Sequence, residues 1–385
     1  MHSEHPASLE GCHIAFFSWR DTKNPEGGGA ERYLEKIASG LAQRGCRVTI
    51  LCAAHPGAPE DETVDGVRFV RRGTKMSVYA QGVRALFRHE LGDVDLVVDV
   101  QNGMPFFTRT VTRKPVVVLV HHVHREQWPV VYPGATGRVG WVDREPGCAE
   151  ALPPEPIRRG LAGHPHRAHR SRGESATHRV VHNGTDKHEP THTPRTPHPS
   201  ICVVGRLVPH KQVEHAIDAV GVLRGEFPTL QLVVVGGGWW EAELRDHARK
   251  RGLTDAVVFE GHVSEERKYE VYSQSWLLAL PSLKEGWGLV VGEAGMMGTP
   301  AVAYRSAGGT RESIIDGRSG VLVDDREEFT RVLGELLRDD VRRKQLGDGA
   351  TEVSHMFTWE HAQQSFAAVL RTVLDGGYVA ALDPE

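Results

Sequence analysis

The chain has 385 residues, a formal net charge of −4 at pH 7, 39% hydrophobic residues and 25% charged ones. That length exceeds one ordinary core and suits two domains of roughly 100 to 200 residues each, and the near-neutral balance carries no electrostatic footprint for nucleic acid. No run approaches the roughly 18 to 20 apolar residues of a membrane helix, and the polar stretch Met1 to Glu10 reads as neither signal peptide nor anchor.

The first half alternates strands and helices. His13 to Ser18 is an apolar strand, Gly27 to Gly29 a loop, and Ala30 to Arg44 a helix that places Tyr33, Leu34, Ile37, Ala38 and Leu41 on one face before Gly45 ends it. Strands follow at Val48 to Cys52, Val67 to Val70, Leu96 to Val100 and Val116 to Val120, with a helix from about Val78 to Leu91. This is the βαβ rhythm of a parallel sheet. The five cysteines, Cys12, Cys46, Cys52, Cys148 and Cys202, are odd in number and include no Cys-x-x-Cys, so they read as reduced thiols of a cytoplasmic protein.

Between Asp143 and His178 the pattern fails. Leu152, Ile157 and Leu161 are the large aliphatics there, and Pro, Arg, His and Gly dominate. Such a segment supplies neither a buried strand nor an amphipathic helix. Val180-Val-His-Asn-Gly-Thr-Asp186 then resumes the pattern abruptly. Abrupt loss followed by abrupt recovery favours a compensated pair of frameshifts in a GC-rich gene; a disordered insertion and real divergence are the competing readings.

After a Pro-, Thr- and His-rich connection from Lys187 to Ser200, expected to be extended and irregular, the rhythm returns more clearly. Strands are expected at Ile201 to Val204, Leu232 to Val235, Val257 to Phe259, Trp276 to Leu280, Ala301 to Tyr304 and Val321 to Val323, separated by helices such as Gln212 to Arg224 and Glu241 to Arg251. A last helix runs from about Glu360 to Leu374.

The stretch Ser282-Leu-Lys-Glu-Gly-Trp-Gly-Leu-Val-Val-Gly-Glu293 carries the most chemistry. Gly286 and Gly288 let the backbone turn sharply after a buried strand, which puts Glu285 on a loop at the strand's carboxyl end and Glu293 in the following helix. Ligands of open α/β sheets bind at that edge. An ionised Glu only accepts hydrogen bonds, which suits the vicinal hydroxyls of a sugar; the plainer alternative has Glu285 capping the helix and Glu293 solvated. Arg206 and Lys211, at the carboxyl end of Ile201 to Val204, are permanent cations suited to a diphosphate, or else solvated residues at a helix start. Gly27 to Gly29 follows the first strand, where glycine amides and a helix N-terminus could face an anion or a sugar. His121, His122 and His124 make a metal site conceivable, but strand neighbours face opposite ways and no Asp or Glu completes a ligand set. Trp239 and Trp240, after Gly236 to Gly238, either cover a base or pack between strand and helix, and packing is the favoured reading.

Taken together, these segments resemble glycosyltransferase family 4, retaining enzymes of GT-B architecture. The Glu285/Glu293 pair resembles the family's E-x7-E signature, Gly205-Arg-Leu-Val-Pro-His-Lys211 its G-R-L-x-x-x-K segment, Gly27-Gly28-Gly29 its N-terminal glycine loop, and Gly308-Gly309-Thr-Arg-Glu-Ser-Ile with Gly320-Val-Leu-Val its closing segment. The resemblance implies an α/β protein of two facing Rossmann-like domains with a cleft between them. The N-terminal, acceptor-side domain is expected at 11–182, the linker at 183–200, the nucleotide-sugar domain at 201–357, and at 358–375 a helix crossing back to the first domain.

By the same resemblance, Gly28, Gly29, Gly205, Arg206, Lys211, Glu285, Gly286, Gly288, Leu289 and Glu293 form the donor site. Glu293 would take the ribose hydroxyls, Glu285 the donor sugar, Arg206 and Lys211 the diphosphate, and His121, pointing into the cleft, the sugar near the reacting centre. His121, Arg206, Lys211 and Glu285 are the expected catalytic residues. No cofactor and no metal is implied, only a nucleotide-diphosphate sugar as donor. The acceptor, whether glycan, lipid-linked or small molecule, and the donor base are not readable, and a peripheral membrane contact stays open. The alternative is a non-catalytic or damaged pseudo-glycosyltransferase that still binds nucleotide sugar.

Overall fold

A computed structural model describes residues 9–101, 104–121, 179–186, 188 and 193–376. The expectations placed on Asp143 to His178 therefore lie outside the described residues. The chain divides into two compact units.

In the first unit, β1 (His13–Phe17) is the middle of a sheet because Ile14 to Phe17 are apolar on both faces and fully buried. It pairs in parallel with β2 (Arg47–Cys52) and with β5 (Leu96–Gln101), Ile14 lying beside Val48 on one side and Leu96 on the other. β6 (Val116–Val120) extends the sheet beyond β5, and β4 (Val67–Arg71) extends it beyond β2. The edge strand β3 (Asp61–Val64), antiparallel to β4, was not expected from the sequence. Its Asp-Glu-Thr-Val is almost wholly exposed and has no apolar alternation to read. The signal was the turn Asp65-Gly66, whose φ angles of 50° and 78° suit a tight hairpin.

Helix Gly29–Gln43 buries Tyr33, Leu34, Ile37, Ala38 and Leu41 against this sheet, the face its spacing predicts. Helix Val78–Phe87 ends earlier than expected, because His89 adopts φ 55° and breaks the run before Leu91. From Gln363 onward the last helix, Trp359–Leu374, also belongs to this unit. There Phe366 stacks on Phe16 at 6.3 Å, and the Gln363 amide donates to the Lys36 carbonyl at 2.9 Å.

The second unit holds six parallel strands: β7 (Ser200–Val204), β8 (Gln231–Val235), β9 (Val257–Gly261), β10 (Leu277–Leu280), β11 (Ala301–Tyr304) and β12 (Gly320–Val323). Their spatial order is β12-β11-β10-β7-β8-β9. This is the Rossmann order, with the direction of winding reversing between β7 and β10. Side chains alternate along β7. Ile201 and Val203 join one core, with Leu232, Phe329 and Leu333, while Cys202 and Val204 join the other, with Tyr269, Tyr272 and Val291. Helix Glu265–Gln274, capped by Ser264 accepting the Arg267 N–H at 3.2 Å, went unread because its sequence is mostly polar. Both units are thus α/β folds, each built around a mostly parallel sheet. Among the described residues, no helix is long and apolar enough to cross a membrane.

Candidate functional site

The reversal between β7 and β10 leaves an open crevice beyond their carboxyl ends, and the motif residues of the second unit gather there. After β7 the Gly205 N–H donates to the Val235 carbonyl at 3.0 Å, and the Leu207 N–H to the Gly237 carbonyl at 2.9 Å. The two turns interlock so closely that a Cβ on Gly236 would overlap the Gly205 carbonyl. Arg206 is exposed on this rim. With Gly205, Lys211, Pro281 and Ser282 it lines a small open depression in the crevice.

Lys211 ends a short turn, Pro209–Lys211, that the β10 loop grips through the Leu283 N–H on the His210 carbonyl at 2.9 Å. The grip brings Lys211 Nζ to 2.5 Å from Glu285 Oε1, and the Ser282 hydroxyl donates to the same oxygen at 2.6 Å. The Glu285 backbone is held on both sides as well: its N–H donates to the Ala307 carbonyl at 2.7 Å, and its carbonyl accepts from the Gly309 N–H at 3.1 Å. Gly309 is obligatory, since a Cβ there would overlap the Gly286 carbonyl. Three segments that are distant in sequence thus converge on Glu285, Lys211 and Ser282 on its carboxylate and Ala307 and Gly309 on its backbone. Lys211 and Glu285, expected to act on different parts of a ligand, bond directly to each other. Glu285 does not cap the helix.

Gly288, at φ 83°, opens the helix Leu289–Met296, and Leu289 is its first residue. Glu293 lies inside that helix, 6% exposed, which overturns the solvated alternative. Its Oε1 accepts from Lys268 Nζ at 3.1 Å and its Oε2 from the Tyr272 hydroxyl at 2.9 Å. Burial and the Glu293 charge push the Tyr272 pKa well above the ordinary tyrosine value, so the phenol stays a donor. Sequence reasoning missed Lys268 and Tyr272. Their spacing of four, with Tyr269 between them, was the available signal for one helical face.

In the first unit the glycine loop differs from expectation. The Gly27 N–H donates to the Asn24 carbonyl at 2.7 Å and the Gly28 N–H to Glu31 Oε2 at 2.8 Å, so these amides serve the loop itself rather than an incoming anion. The cause is Glu31, a first-turn carboxylate that also holds Arg20 Nε at 2.8 Å. Gly29 opens the helix. His121 follows β6, half-buried, with its ring edge-on to Tyr33 at 5.3 Å. Gly28, Gly29 and His121 lie in the first unit and the remaining site residues in the second. His122 and His124 are outside the described residues, among which no three His, Cys, Asp or Glu side chains gather as a metal-ligand group. The tryptophan pair splits: Trp240 packs against the core, whereas Trp239 is 61% exposed and does not pack as expected.

The Glycosyl transferases group 1 model matches residues 185–353, and the Glycosyltransferase Family 4 model matches residues 27–144. The chain belongs to glycosyltransferase family 4. Among curated members, a D-inositol 3-phosphate glycosyltransferase of Stackebrandtia nassauensis is 35% identical over 168 residues, which cover 41% of this chain and 38% of that relative. The match thus spans well under half of the relative's length. Among solved structures, sucrose-phosphate synthase of Thermosynechococcus elongatus superposes with a TM-score of 0.72 at 19% identity, covering 95% of this chain and all of the other. Anabaena Alr3699/HepE in complex with UDP-glucose superposes at 0.66 and 17% identity, over 94% of this family 4 chain and 99% of its own. At such identities the likeness is one of fold.

Proposed function

We propose that this chain is a metal-independent retaining glycosyltransferase that moves a sugar from a nucleoside-diphosphate sugar to an acceptor hydroxyl. The observation that carries the reading is the convergence of Arg206, Lys211, Ser282 and Glu285 at the switch point of the second sheet, with the buried Glu293 on the helix that leaves it. Arg206 and Lys211 would hold the diphosphate and stabilise the charge that develops as the nucleoside diphosphate departs. Two carboxylates supply the acceptors that ribose and sugar hydroxyls need. His121 would approach the sugar near the anomeric carbon. The UDP-glucose complex of the Anabaena relative supports a nucleotide-sugar donor, and the name of the Stackebrandtia relative makes inositol phosphates the first acceptors to try. On this reading the protein works in the cytoplasm, with a peripheral membrane contact if the acceptor is lipid-linked.

The test is a panel of UDP-, GDP-, ADP- and dTDP-sugars in the presence of EDTA. Thermal shift should first rank the donors, because a ligand that binds the native state alone raises the midpoint. Transfer to inositol phosphates and simple glycosides is then followed by NMR of the anomeric proton. Release of nucleoside diphosphate with the donor's anomeric configuration kept in the product is expected. An inverted product would overturn the retaining assignment, and loss of turnover on chelation would overturn metal independence. Donor binding without transfer or hydrolysis would leave a pseudo-glycosyltransferase.

A further inference from the structure

Arg195 lies in the irregular stretch that enters β7, and its side chain is drawn into the second unit. Nη1 donates to the Ser275 carbonyl, to Thr299 Oγ1 at 2.6 Å and to the Tyr272 carbonyl at 3.4 Å; Nη2 donates to the Gly298 carbonyl at 2.5 Å and the Met297 carbonyl at 3.3 Å. Among the described residues its acceptors are four carbonyls and a hydroxyl, with no carboxylate. Tyr272 and Ser275 stand at the carboxyl end of helix Glu265–Gln274, and Met297 and Gly298 at that of helix Leu289–Met296. The last carbonyls of a helix have no partner of their own and carry its negative pole, so one guanidinium satisfies and neutralises two helix ends at once. Burial and the neighbouring Arg343 draw its pKa below the ordinary arginine value, which marks the site as one that tolerates a cation only because those carbonyls converge on it.

These are the two helices that carry the candidate site, one bearing Lys268 and Tyr272 and the other Glu293. Tyr272 links them: its carbonyl accepts from Arg195 and from the Thr299 hydroxyl at 2.6 Å, and its own hydroxyl donates to Glu293. We infer that Arg195 is a positioning residue for donor binding, a clamp across two helix ends that holds Tyr272 and Lys268 against the Glu293 carboxylate. The inference rests on the donor site proposed above. Arg195 touches no reacting atom, and its effect falls on affinity rather than on the chemical step.

The experiment measures binding of UDP, GDP and ADP by calorimetry, and turnover with the best donor, for the full chain and four variants: Arg195→Met, Arg195→Lys, Tyr272→Phe and the double Arg195→Met/Tyr272→Phe. Arg195→Met should weaken diphosphate binding about tenfold, the size expected for loss of a hydrogen bond at a charged group, and raise KM while kcat changes little. Arg195→Lys, with a cation but fewer donors, should fall between, and millimolar guanidinium should restore binding to Arg195→Met. Tyr272→Phe combined with Arg195→Met should lose less than the sum of the two single losses, because both act on one chain of contacts. Additive losses, or unchanged affinity in a folded Arg195→Met, would show that Arg195 only tethers the strand entry. Should Arg195→Met not fold, Arg195→Lys with the wild-type affinity for the diphosphates would overturn the clamp, and a weakened one that recovers in guanidinium would support it. Failure of the wild-type protein to bind any of the three diphosphates sinks the donor-site reading itself, and the clamp with it.

Discussion

Lys211 and Glu285 stand 74 positions apart in the chain and meet at 2.5 Å, beyond the ends of neighbouring strands β7 and β10. The pair is partly sheltered, Lys211 at 22% and Glu285 at 9% side-chain exposure. The ammonium holds the carboxylate in place, and with Arg206 it lines the depression where a diphosphate would sit. An arriving diphosphate would share Lys211 with Glu285, so binding and preorganisation draw on the same contact.

Lys211→Met should therefore lower kcat about 100-fold, as removal of one donor to a developing oxyanion does. It should also cost about 2 kcal/mol of stability by leaving the Glu285 carboxylate with Ser282 alone. Adding Glu285→Gln should restore part of that stability, since an amide is neutral. Urea titrations of the two single variants and the double variant check it; strictly additive losses would mean that the pair does not stabilise the fold.

Glu293→Gln should weaken nucleoside-diphosphate and nucleotide-sugar binding by about 1 to 3 kcal/mol, because a charged acceptor becomes a neutral amide. The change also touches Lys268 and Tyr272, whose donors both point at this carboxylate. Calorimetry should show the affinity falling further than the unfolding midpoint predicts. Unchanged affinity would make Glu293 an anchor between two helices and no part of a ligand site.

Most of both sheets was legible because parallel strands buried on both faces read as continuous apolar runs, as Leu277-Leu-Ala-Leu280 does. Strand β3 and helix Glu265–Gln274 were not, for one is charged and exposed while the other buries only a narrow face. Arg206, Lys211, Glu285 and Glu293 stood out in the sequence by their places after apolar strands and by the resemblance of their segments to family motifs. What each touches was not. The Lys211–Glu285 bond comes from strand order, and the Glu293 shell comes from a helix that spacing had not revealed. In the glycine loop the unread partner was local, because Glu31 takes the Gly28 amide that was expected to face a ligand.

Gly236→Ala and Gly309→Ala should each destabilise the second unit more than a typical surface substitution, since the new methyl would overlap a backbone carbonyl in both places. Gly309→Ala should also reduce turnover, because the Gly309 N–H holds the Glu285 carbonyl. Gly252→Ala is a useful control. It has a positive φ of 70° but open space around it, so it should show strain alone. Thermal midpoints for the three variants settle the order; a Gly309→Ala no worse than Gly252→Ala would count against the close approach.

Alkaline pH should destabilise the protein before any carboxylate matters. Burial pushes Cys46 up to about 11 and Cys202 up to about 12 from an ordinary 9.0, and Tyr304 up to about 12 from an ordinary 10.0. Above the ordinary values the unfolded chain loses these protons while the folded one keeps them, so the native state binds more protons and stability falls with rising pH. The contribution is fully present below about pH 8, a unit under the ordinary thiol value, and is lost progressively on the way to the folded values. Urea midpoints should be flat from pH 7 to pH 8 and decline from pH 9 to pH 11. Cys202→Ala should shallow that decline, because its thiol is fully buried against helix Glu265–Gln274 and the strands beside it. A decline of the same slope without Cys202 would place the effect on Cys46, Cys52 and the tyrosines instead, and a midpoint that rises with pH would contradict the assignment altogether.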